Sequence, residues 1–352
     1  MLTIPVKASK TYDICIGEGL LTADTNFITR ELKQKNVMIV SDEHVYALYG
    51  ESLETMLDTA GISHHKFVFA PGEQSKTLAV YGELQEELCR CKFSRSDVIL
   101  ALGGGVVGDL AGFAAATYQR GIGFVQIPTS LLATVDSSVG GKTAVDLQGG
   151  KNQVGAFCQP MHVLCDVSTL KTLPKEEYEN GCGEIIKYAM IADRELFAQL
   201  KEMPVSSRYE SVIARCVSIK RDFVEQDEFD TGLRMMLNFG HTIGHGIEKC
   251  SGYMIPHGRA VAAGMAIITK AACEIGMCDR SVYGELVELL KEYNLPFETD
   301  FGAAELADVI MTDKKGSGDM LTLVVPVKIG TCKLHKIRKE EVMEWLKAGG
   351  IR

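Results

Sequence analysis

The sequence predicts an α/β domain followed by a mainly α-helical domain. Three observations support this fold class. The 352 residues exceed the usual size of one hydrophobic core. Short β-branched runs alternate with helical segments in the first half, as in a parallel α/β sheet. From about residue 175 the pattern is helical for most of the remaining chain. We therefore predict two domains, residues 1–174 and 175–352.

Four apolar runs in the first half predict buried parallel strands, at residues 37–40, 66–69, 98–102 and 124–127. Amphipathic stretches such as 77–91 lie between them and predict helices that cover the sheet. Polar or glycine-rich sequence follows each run. Because ligands of parallel sheets collect at the carboxyl ends of strands, these segments predict a binding edge.

The third run ends in a literal GxGxxG, with glycines at positions 103, 105 and 108. Such glycines let backbone amides approach a pyrophosphate at the start of a helix. A tight strand-to-helix turn explains the motif equally well, because the usual acidic residue about 20 positions onward is missing. Asp42, at the end of the first run, is a candidate for a ribose hydroxyl, or else a solvated turn aspartate.

Two lysines follow paired glycines, in Gly140-Gly-Lys-Thr143 and Gly149-Gly-Lys-Asn152. The first segment is not a P-loop, since Asp136 stands where that motif needs a glycine. A single lysine after a glycine turn is commonly solvent-exposed. Two such lysines within ten residues, among small uncharged neighbours, predict an anion pocket instead.

Three of the eight histidines, His241, His245 and His257, lie within 17 residues of one another. The first two are four apart in a segment of helical character, so their imidazoles share a helix face. The third follows a turn-like connection. This grouping predicts a metal site, whereas a lone histidine is more often a hydrogen-bonded interior residue. Spacing alone does not assign the ligands. The interleaved glycines predict close approach of backbone to a ligand or another helix.

Glu184 and Lys187 lie one turn apart in a predicted helix whose flanks are apolar. An exposed pair of this kind would stabilise the helix only slightly. The apolar flanks instead predict a buried carboxylate that needs a partner, and a metal would serve. Arg234 and Asn238 are four apart and are expected to share a helical face leading into His241.

Composition excludes several classes of protein. A formal net charge of −9 disfavours general nucleic-acid binding. Apolar runs fall short of the roughly 20 residues that cross a bilayer, and the start lacks the apolar core of a signal peptide. The eleven cysteines contain no CxxC pair, so we expect reduced, mostly buried thiols rather than a disulfide framework or a thiolate zinc site. A soluble, cytoplasmic protein is expected.

Taken together, these motifs resemble those of the 3-dehydroquinate synthases. The matching blocks run in order from about residue 70 to 315: PGEQSK, GGGVVGD, PTSLLATVDSSVGGKTAVDLQGGKNQVGAF, EIIKYA, LNFGHTIGHGIE and HGRAVAAGM. The resemblance implies a Rossmann-like NAD-binding α/β domain and a helical metal-binding domain. It also implies one divalent metal, zinc or cobalt, and a homodimer.

The resemblance also implies roles for individual residues. The metal ligands would be Glu184, His241 and His257. NAD would be held by Asp42, Glu73, Lys76, Gly105, Val106, Val107, Gly108, Asp109, Thr129, Ser130, Asp136, Lys142, Lys151, Thr169, Leu170, Lys171 and Thr172. The catalytic and substrate-binding residues would be His245, Lys142, Lys151, Asn152, Lys187, Lys220, Arg234, Asn238, Lys314 and, reaching the neighbouring subunit, Arg120.

The implied substrate is an anionic sugar phosphate, 3-deoxy-D-arabino-heptulosonate 7-phosphate. The implied reaction is redox-neutral overall: transient oxidation at C5 by NAD, phosphate elimination, return of the hydride and intramolecular aldol closure. Two positions depart from the family pattern, Arg259 and Asp230, where glutamate is usual. A related sugar phosphate cyclase, a metal-dependent polyol dehydrogenase and a non-catalytic NAD- or metal-binding regulator are the alternative interpretations.

Overall fold

The structure is a computed structural model that describes residues 1–22, 30–313 and 319–352. By internal contacts it divides into two compact units. The first comprises residues 1–173 and 220–229, and the second comprises residues 174–219 and 230–352. Lys314, a predicted substrate-binding residue, lies outside the described residues.

The first unit is built on a seven-stranded sheet that confirms the predicted α/β class. In spatial order its strands are β1 (Leu2–Lys7), β2 (Thr11–Gly17), β9 (His162–Asp166), β6 (Gly123–Pro128), β5 (Val98–Gly103), β3 (Val37–Asp42) and β4 (His64–Phe69). Only the β1–β2 pair of this sheet is antiparallel. The four predicted runs therefore form β3 to β6, with boundaries that differ by one or two residues.

Helices cover both faces of this sheet: α1 (Glu43–Thr59), α2 (Leu78–Arg90) and α3 (Gly105–Thr117). Met38 and Ile99 pack with α2 and α3 on one face, while Ile39 and Leu100 pack with α1 on the other. Successive side chains of a strand point to opposite faces. Because both faces are covered, the central strands are apolar at most positions.

The second unit is mainly helical, as predicted. Its elements are α4 (Lys175–Ala192), α5 (Arg194–Glu202), the first part of α6 (Tyr209–Gln226), α7 (His241–Cys250), α8 (His257–Glu274), α9 (Arg280–Glu292), α10 (Ala303–Asp313), a hairpin of β10 (Met320–Lys328) and β11 (Thr331–Arg338), and α11 (Val342–Ala348). Helix α8 is almost wholly buried, and α4, α7, α9 and α11 pack on it. No helix within the described ranges is long and apolar enough to cross a bilayer.

The two glycine–lysine segments begin the strands of an antiparallel hairpin, β7 (Lys142–Leu147) and β8 (Gly150–Phe157), which the sequence did not predict. The segment Val167–Thr172, which contains four of the predicted NAD-binding residues, forms a 3₁₀ helix. Two local expectations were wrong. A 3₁₀ helix occupies Leu233–Asn238, where three residues per turn replace the expected α-helical face. All eleven cysteines are free thiols, although only five are buried.

Candidate active site

Three side chains from three helices of the second unit converge on one point. Glu184 on α4 lies with its Oε1 3.6 Å from Nε2 of His241 on α7. The same oxygen lies 3.4 Å from Nε2 of His257, the first residue of α8. One donor atom from each of the three lies within 4.8 Å of the others. Glu184 is 1% exposed, whereas the side chains of His241 and His257 are 13% and 32% exposed, so the group lies at the border of the helical core.

Glycines bring the three helices to backbone contact. A Cβ added at Gly183, next to Glu184, would lie 2.3 Å from the carbonyl oxygen of Gly258. A Cβ at Gly258 would lie 1.9 Å from the carbonyl oxygen of Asn180. On the other side of α8, a Cβ at Gly244 would lie 3.0 Å from Cα of Val261. These contacts leave no room for side chains, and they set the spacing between the carboxylate and the imidazoles.

Both imidazoles present the same ring nitrogen to Glu184. Nδ1 of His241 lies 3.1 Å from the carbonyl oxygen of Phe239, and Nδ1 of His257 lies 3.1 Å from Oε2 of Glu248. Each acceptor favours a proton on Nδ1, so that in the neutral form of either ring the Nε2 lone pair faces Glu184 and can bind a ligand. One carboxylate oxygen and two imidazole nitrogens are a donor set that suits zinc and related divalent metals.

The two histidines differ in protonation. Burial lowers the pKa of His241 to about 3, against the opposing effect of Glu184. Burial also acts to lower the pKa of His257, but hydrogen bonds to Glu184 and Glu248 outweigh it and raise that pKa to about 10. At neutral pH, without a bound cation, His241 is neutral and His257 carries a proton between two carboxylates.

Other predicted residues lie around this group. His245 is one turn after His241 on α7, and its ring centroid is 5.4 Å from that of His241 and 5.8 Å from that of His257. Lys187 is buried and forms an ion pair with Glu184. Arg234 is also buried, in the 3₁₀ turn that precedes α7. Asn238 ends that turn.

A second group of predicted residues forms within the first unit. Nζ of Lys76, a buried side chain, lies 2.6 Å from Oδ2 of Asp109 on α3 and 2.6 Å from Oδ1 of Asn152 on β8. Nζ of Lys151 lies 3.4 Å from Oε1 of Glu73. The β7–β8 hairpin therefore brings its lysine and asparagine to the PGEQSK segment, which sequence spacing could not indicate.

Another ion pair of the first unit joins Lys220 to Asp136. Nζ of Lys220 lies 2.9 Å from the Oδ2 atom of Asp136 and 2.8 Å from its carbonyl oxygen. Lys142 begins β7, and Arg120 is exposed in the turn between α3 and β6.

The GxGxxG motif joins β5 to α3, as both of its interpretations require. Helix α3 begins after Gly104 without a side-chain cap, and Gly104, Gly105 and Val106 are partly exposed. A Cβ at Gly108 would lie 2.6 Å from Oε1 of Gln126 on β6, which explains the third glycine by packing. Thr129 follows β6 and donates its backbone N–H to the carbonyl oxygen of Gly103, at 3.0 Å. The turn thus combines open backbone amides with the positive end of a helix.

The remaining predicted NAD-binding residues have partners within the first unit. Oδ1 of Asp42 caps α1, accepting the backbone N–H groups of His44 and Val45 at 2.9 Å each. In the 3₁₀ helix Val167–Thr172, Thr169 and Thr172 bond the hydroxyl of Tyr49, Leu170 is buried, and Lys171 pairs with Glu18. Ser130 accepts the backbone N–H of Ala133 at 3.2 Å.

Sequence reasoning missed Glu248, the hydrogen-bond partner of His257. It lies three residues after His245 and seven after His241, so helical spacing alone places it on their face.

The structure also shows the surroundings of Arg259 and Asp230, the two residues that depart from the family pattern. Arg259 directs its Nη1 to Oε2 of Glu179 at 2.7 Å and to the carbonyl oxygen of Asn294 at 3.0 Å. Asp230 has a φ of 58°, a left-handed conformation that aspartate adopts more readily than most residues.

The fold places the chain among the sugar phosphate cyclases. It matches a 2-deoxy-scyllo-inosose synthase complexed with carbaglucose-6-phosphate, NAD⁺ and Co²⁺ at a TM-score of 0.88, with 25% identity over 98% of this chain and 99% of that one. It matches a 2-epi-5-epi-valiolone synthase from Streptomyces hygroscopicus subsp. jinggangensis 5008, with NAD⁺ and Zn²⁺ bound, at a TM-score of 0.89, with 25% identity over 99% of both chains. An iron-containing alcohol dehydrogenase shares the fold alone, at a TM-score of 0.65 and 16% identity over 99% of both chains.

Sequence comparison identifies one family within this class. Residues 66–180 match the N-terminal part of 3-dehydroquinate synthase and residues 181–316 match its C-terminal part. The chain is 44% identical to the 3-dehydroquinate synthase of Enterococcus faecalis (strain ATCC 700802 / V583) over 99% of both proteins. It is 42% identical to that of Streptococcus sanguinis (strain SK36), over 96% of this chain and 97% of the relative. The chain belongs to the 3-dehydroquinate synthase family, which confirms the resemblance seen in its motifs.

The contact between α4 and α8 predicts a cost for any side chain at Gly258. Gly258→Ala should lower the free energy of unfolding by about 2 kcal/mol or more, because the new Cβ would overlap the carbonyl oxygen of Asn180. Gly284→Ala, in the middle of α9, is the matched control. Nothing lies within 4 Å of its Cβ, so better helix propensity should stabilise the protein by up to about 1 kcal/mol. Urea unfolding of both variants measures the difference, and equal stabilities would contradict the packing argument.

Proposed function

We propose that this protein is a 3-dehydroquinate synthase. It would convert 3-deoxy-D-arabino-heptulosonate 7-phosphate into 3-dehydroquinate and phosphate, as a carbon–oxygen lyase of the shikimate pathway. NAD and one divalent metal would be its cofactors. The observation that carries the proposal is the convergence of Glu184, His241 and His257 in a chain that is 44% identical to a curated member of this family. A cytoplasmic homodimer is part of the same proposal.

Glu184, His241 and His257 would hold the metal. The fit rests on a buried carboxylate and on two Nε2 atoms that already face its Oε1 oxygen. Zinc and cobalt both accept such a mixed oxygen and nitrogen set. A metal here would polarise a substrate oxygen and favour its loss of a proton. Bound zinc and cobalt in the two cyclases of the same fold support this assignment.

The first unit would hold NAD through the turn at the start of α3 and through the residues at the carboxyl ends of its strands. The open amides at Gly104 to Val106 suit a pyrophosphate at the positive end of the helix. NAD supplies a reversible hydride acceptor, so that the cofactor is unchanged after a complete cycle. Of the acidic residues named for this site, Asp42 would also cap α1, as it does now. The other three would hold lysine side chains in place, as in the present pairs Glu73–Lys151, Asp109–Lys76 and Asp136–Lys220.

The substrate is an anion at both ends, with a carboxylate and a phosphate. The cationic residues assigned to it are Lys142, Lys151, Lys187, Lys220, Arg234 and Lys314, with Arg120 assigned to the neighbouring subunit. Asn152 and Asn238 would add neutral hydrogen bonds. The chain carries a formal net charge of −9, so binding of an anionic substrate requires cationic side chains at the site. Binding both charged ends fixes the substrate in one orientation for elimination and ring closure.

His245 is the proposed proton carrier. It stands one helical turn from His241, beside the proposed metal ligands, yet its ring is not one of the three donors that gather at Glu184. Imidazole is the side chain whose ordinary titration range spans neutral pH, so it can both accept and return a proton around the departing phosphate.

Two related activities are the alternatives. Another sugar phosphate cyclase would use the same framework on a different sugar phosphate, as the two solved synthases indicate. A polyol dehydrogenase would use the fold shared with the iron-containing alcohol dehydrogenase and would reduce NAD stoichiometrically. Substrate identity and the fate of NAD separate the three activities.

Incubation with the heptulosonate phosphate, catalytic NAD and zinc or cobalt should release one phosphate per carbocyclic product formed. Absorbance at 340 nm should reach a low plateau, because the hydride returns to the substrate within each cycle. Phosphate assay and mass spectrometry of the product measure the outcome. Continuous accumulation of NADH would instead identify a dehydrogenase, and turnover of other sugar phosphates alone would identify a different cyclase.

His241→Ala and His245→Ala should separate the metal-binding role from the proton-transfer role. The first variant should lose bound metal on dialysis, because it removes one of three donors. The second should retain metal and lose about 10²–10⁴-fold in kcat. Elemental analysis after dialysis, paired with the phosphate assay, measures both properties. Equal loss of metal in the two variants would show that the histidines are divided wrongly.

Metal binding should release a proton from His257. The pKa of this side chain is raised to about 10 in the metal-free protein, so at pH 8 its Nε2 carries a proton that a metal must displace. Apparent affinity should therefore rise about tenfold per pH unit and level off near pH 10. Titration calorimetry in buffers of different ionisation enthalpy counts the protons. A pH-independent affinity between pH 7 and pH 9 would contradict this assignment.

A further inference from the structure

We propose that Glu248 is a positioning residue that orients His257 for the metal. It would accept the Nδ1–H of that imidazole and so direct the Nε2 lone pair towards Glu184. The inference rests on the proposed function, since it assigns a partner to one of the proposed metal ligands. It gives a role to a carboxylate that the sequence motifs left without one.

The geometry places the His257 ring between two carboxylates. Oε2 of Glu248 lies 3.1 Å from Nδ1 on one side, and Oε1 of Glu184 lies 3.4 Å from Nε2 on the other. Glu248 is 3% exposed, so its carboxylate is shielded from water. A hydrogen-bonded acceptor on the far nitrogen is a common device for fixing the tautomer and ring orientation of a metal-binding histidine.

His241 is oriented in the same way by a different acceptor. The carbonyl oxygen of Phe239, in the turn before α7, lies 3.1 Å from Nδ1 of His241. This acceptor is a main-chain group, and His241 is the first residue of its helix. The first residue of α8, His257, obtains its acceptor from a side chain of α7 instead. Each imidazole thus has an acceptor at Nδ1 and the same neighbour, Glu184, at Nε2.

A second group of potential metal ligands shares His257: donor atoms of His245, Glu248 and His257 also lie within 4.8 Å of one another. A cation there would take Nδ1 of His257, and a neutral imidazole would then keep its proton on Nε2, facing Glu184. The two arrangements therefore exclude each other for one neutral imidazole. The arrangement around Glu184 is favoured, because it uses the Nε2 atoms of two imidazoles that their Nδ1 acceptors already orient. In that arrangement Glu248 is an acceptor and not a ligand.

The test is a series of variants at Glu248, scored by zinc affinity in competition with a chromophoric chelator. Glu248→Leu removes the acceptor and should weaken zinc binding by about 10–100-fold. Glu248→Gln keeps an amide oxygen that can accept Nδ1–H, so it should recover most of that loss. Asp193→Asn is the control: it neutralises another buried carboxylate of this unit, the cap of α5, and should stay within about threefold of the parent protein.

A spectroscopic readout supports the affinities and remains available if Glu248→Leu fails to fold. In the zinc-loaded parent protein, selective ¹⁵N-histidine NMR should show His257 protonated on Nδ1 and metal-bound through Nε2. Metal bound through Nδ1 would overturn the proposal in favour of the other arrangement. Parent-like zinc affinity in Glu248→Leu, or losses in Glu248→Gln as large as in Glu248→Leu, would also overturn it.

Glu184→Gln separates this inference from the proposed function. If that variant binds zinc as tightly as the parent protein does, the proposed metal site itself is wrong. If it loses zinc while the Glu248 variants keep it, only the positioning role of Glu248 fails.

Discussion

The helical unit depends on one constraint, which is that the carboxylate of Glu184 is buried in a helical core. A buried charge is stabilised only when cations or strong donors lie close to it. Here the neighbours are Lys187 and the imidazoles of His241 and His257. They come from three different helices, so the helices must approach one another closely. Glycines at the contacts of α8 make that approach possible. The close packing of the helices and the stabilisation of the buried carboxylate therefore depend on each other.

In the first unit, too, buried charged side chains lie beside groups of opposite charge. Lys76 is buried against Asp109 and Asn152, and Lys220 lies against Asp136. These pairs connect segments that are far apart in sequence. Asn152 comes from the β7–β8 hairpin, and Lys220 comes from the last part of α6. An acidic protein that buries several lysines beside carboxylates keeps those cations at fixed positions. Fixed cations suit an anionic substrate and a pyrophosphate better than mobile surface lysines do.

The chain belongs to the 3-dehydroquinate synthase family, whereas its fold is shared more widely. Cyclases and an iron-containing alcohol dehydrogenase share the architecture, so the fold does not fix the chemistry. The chemistry depends instead on the residues around the shared framework. In this chain Arg259 turns to Glu179 and Asn294, and Glu248 contacts the far nitrogen of His257. Arg259, on α8, thus joins α4 to the turn that follows α9.

The sequence by itself determined the fold class, the four central strands and the helix that carries His241 and His245, because these depend on local periodicity. It also indicated the family, because long motif blocks keep their order. Only the tertiary structure decided that the two glycine–lysine segments pair as a hairpin and that residues 220–229 group with the first unit. It likewise decided that Glu248 meets His257 and that Asp42 caps α1. Those outcomes depend on contacts between distant segments or on side-chain orientation, and neither leaves a periodic trace along the chain.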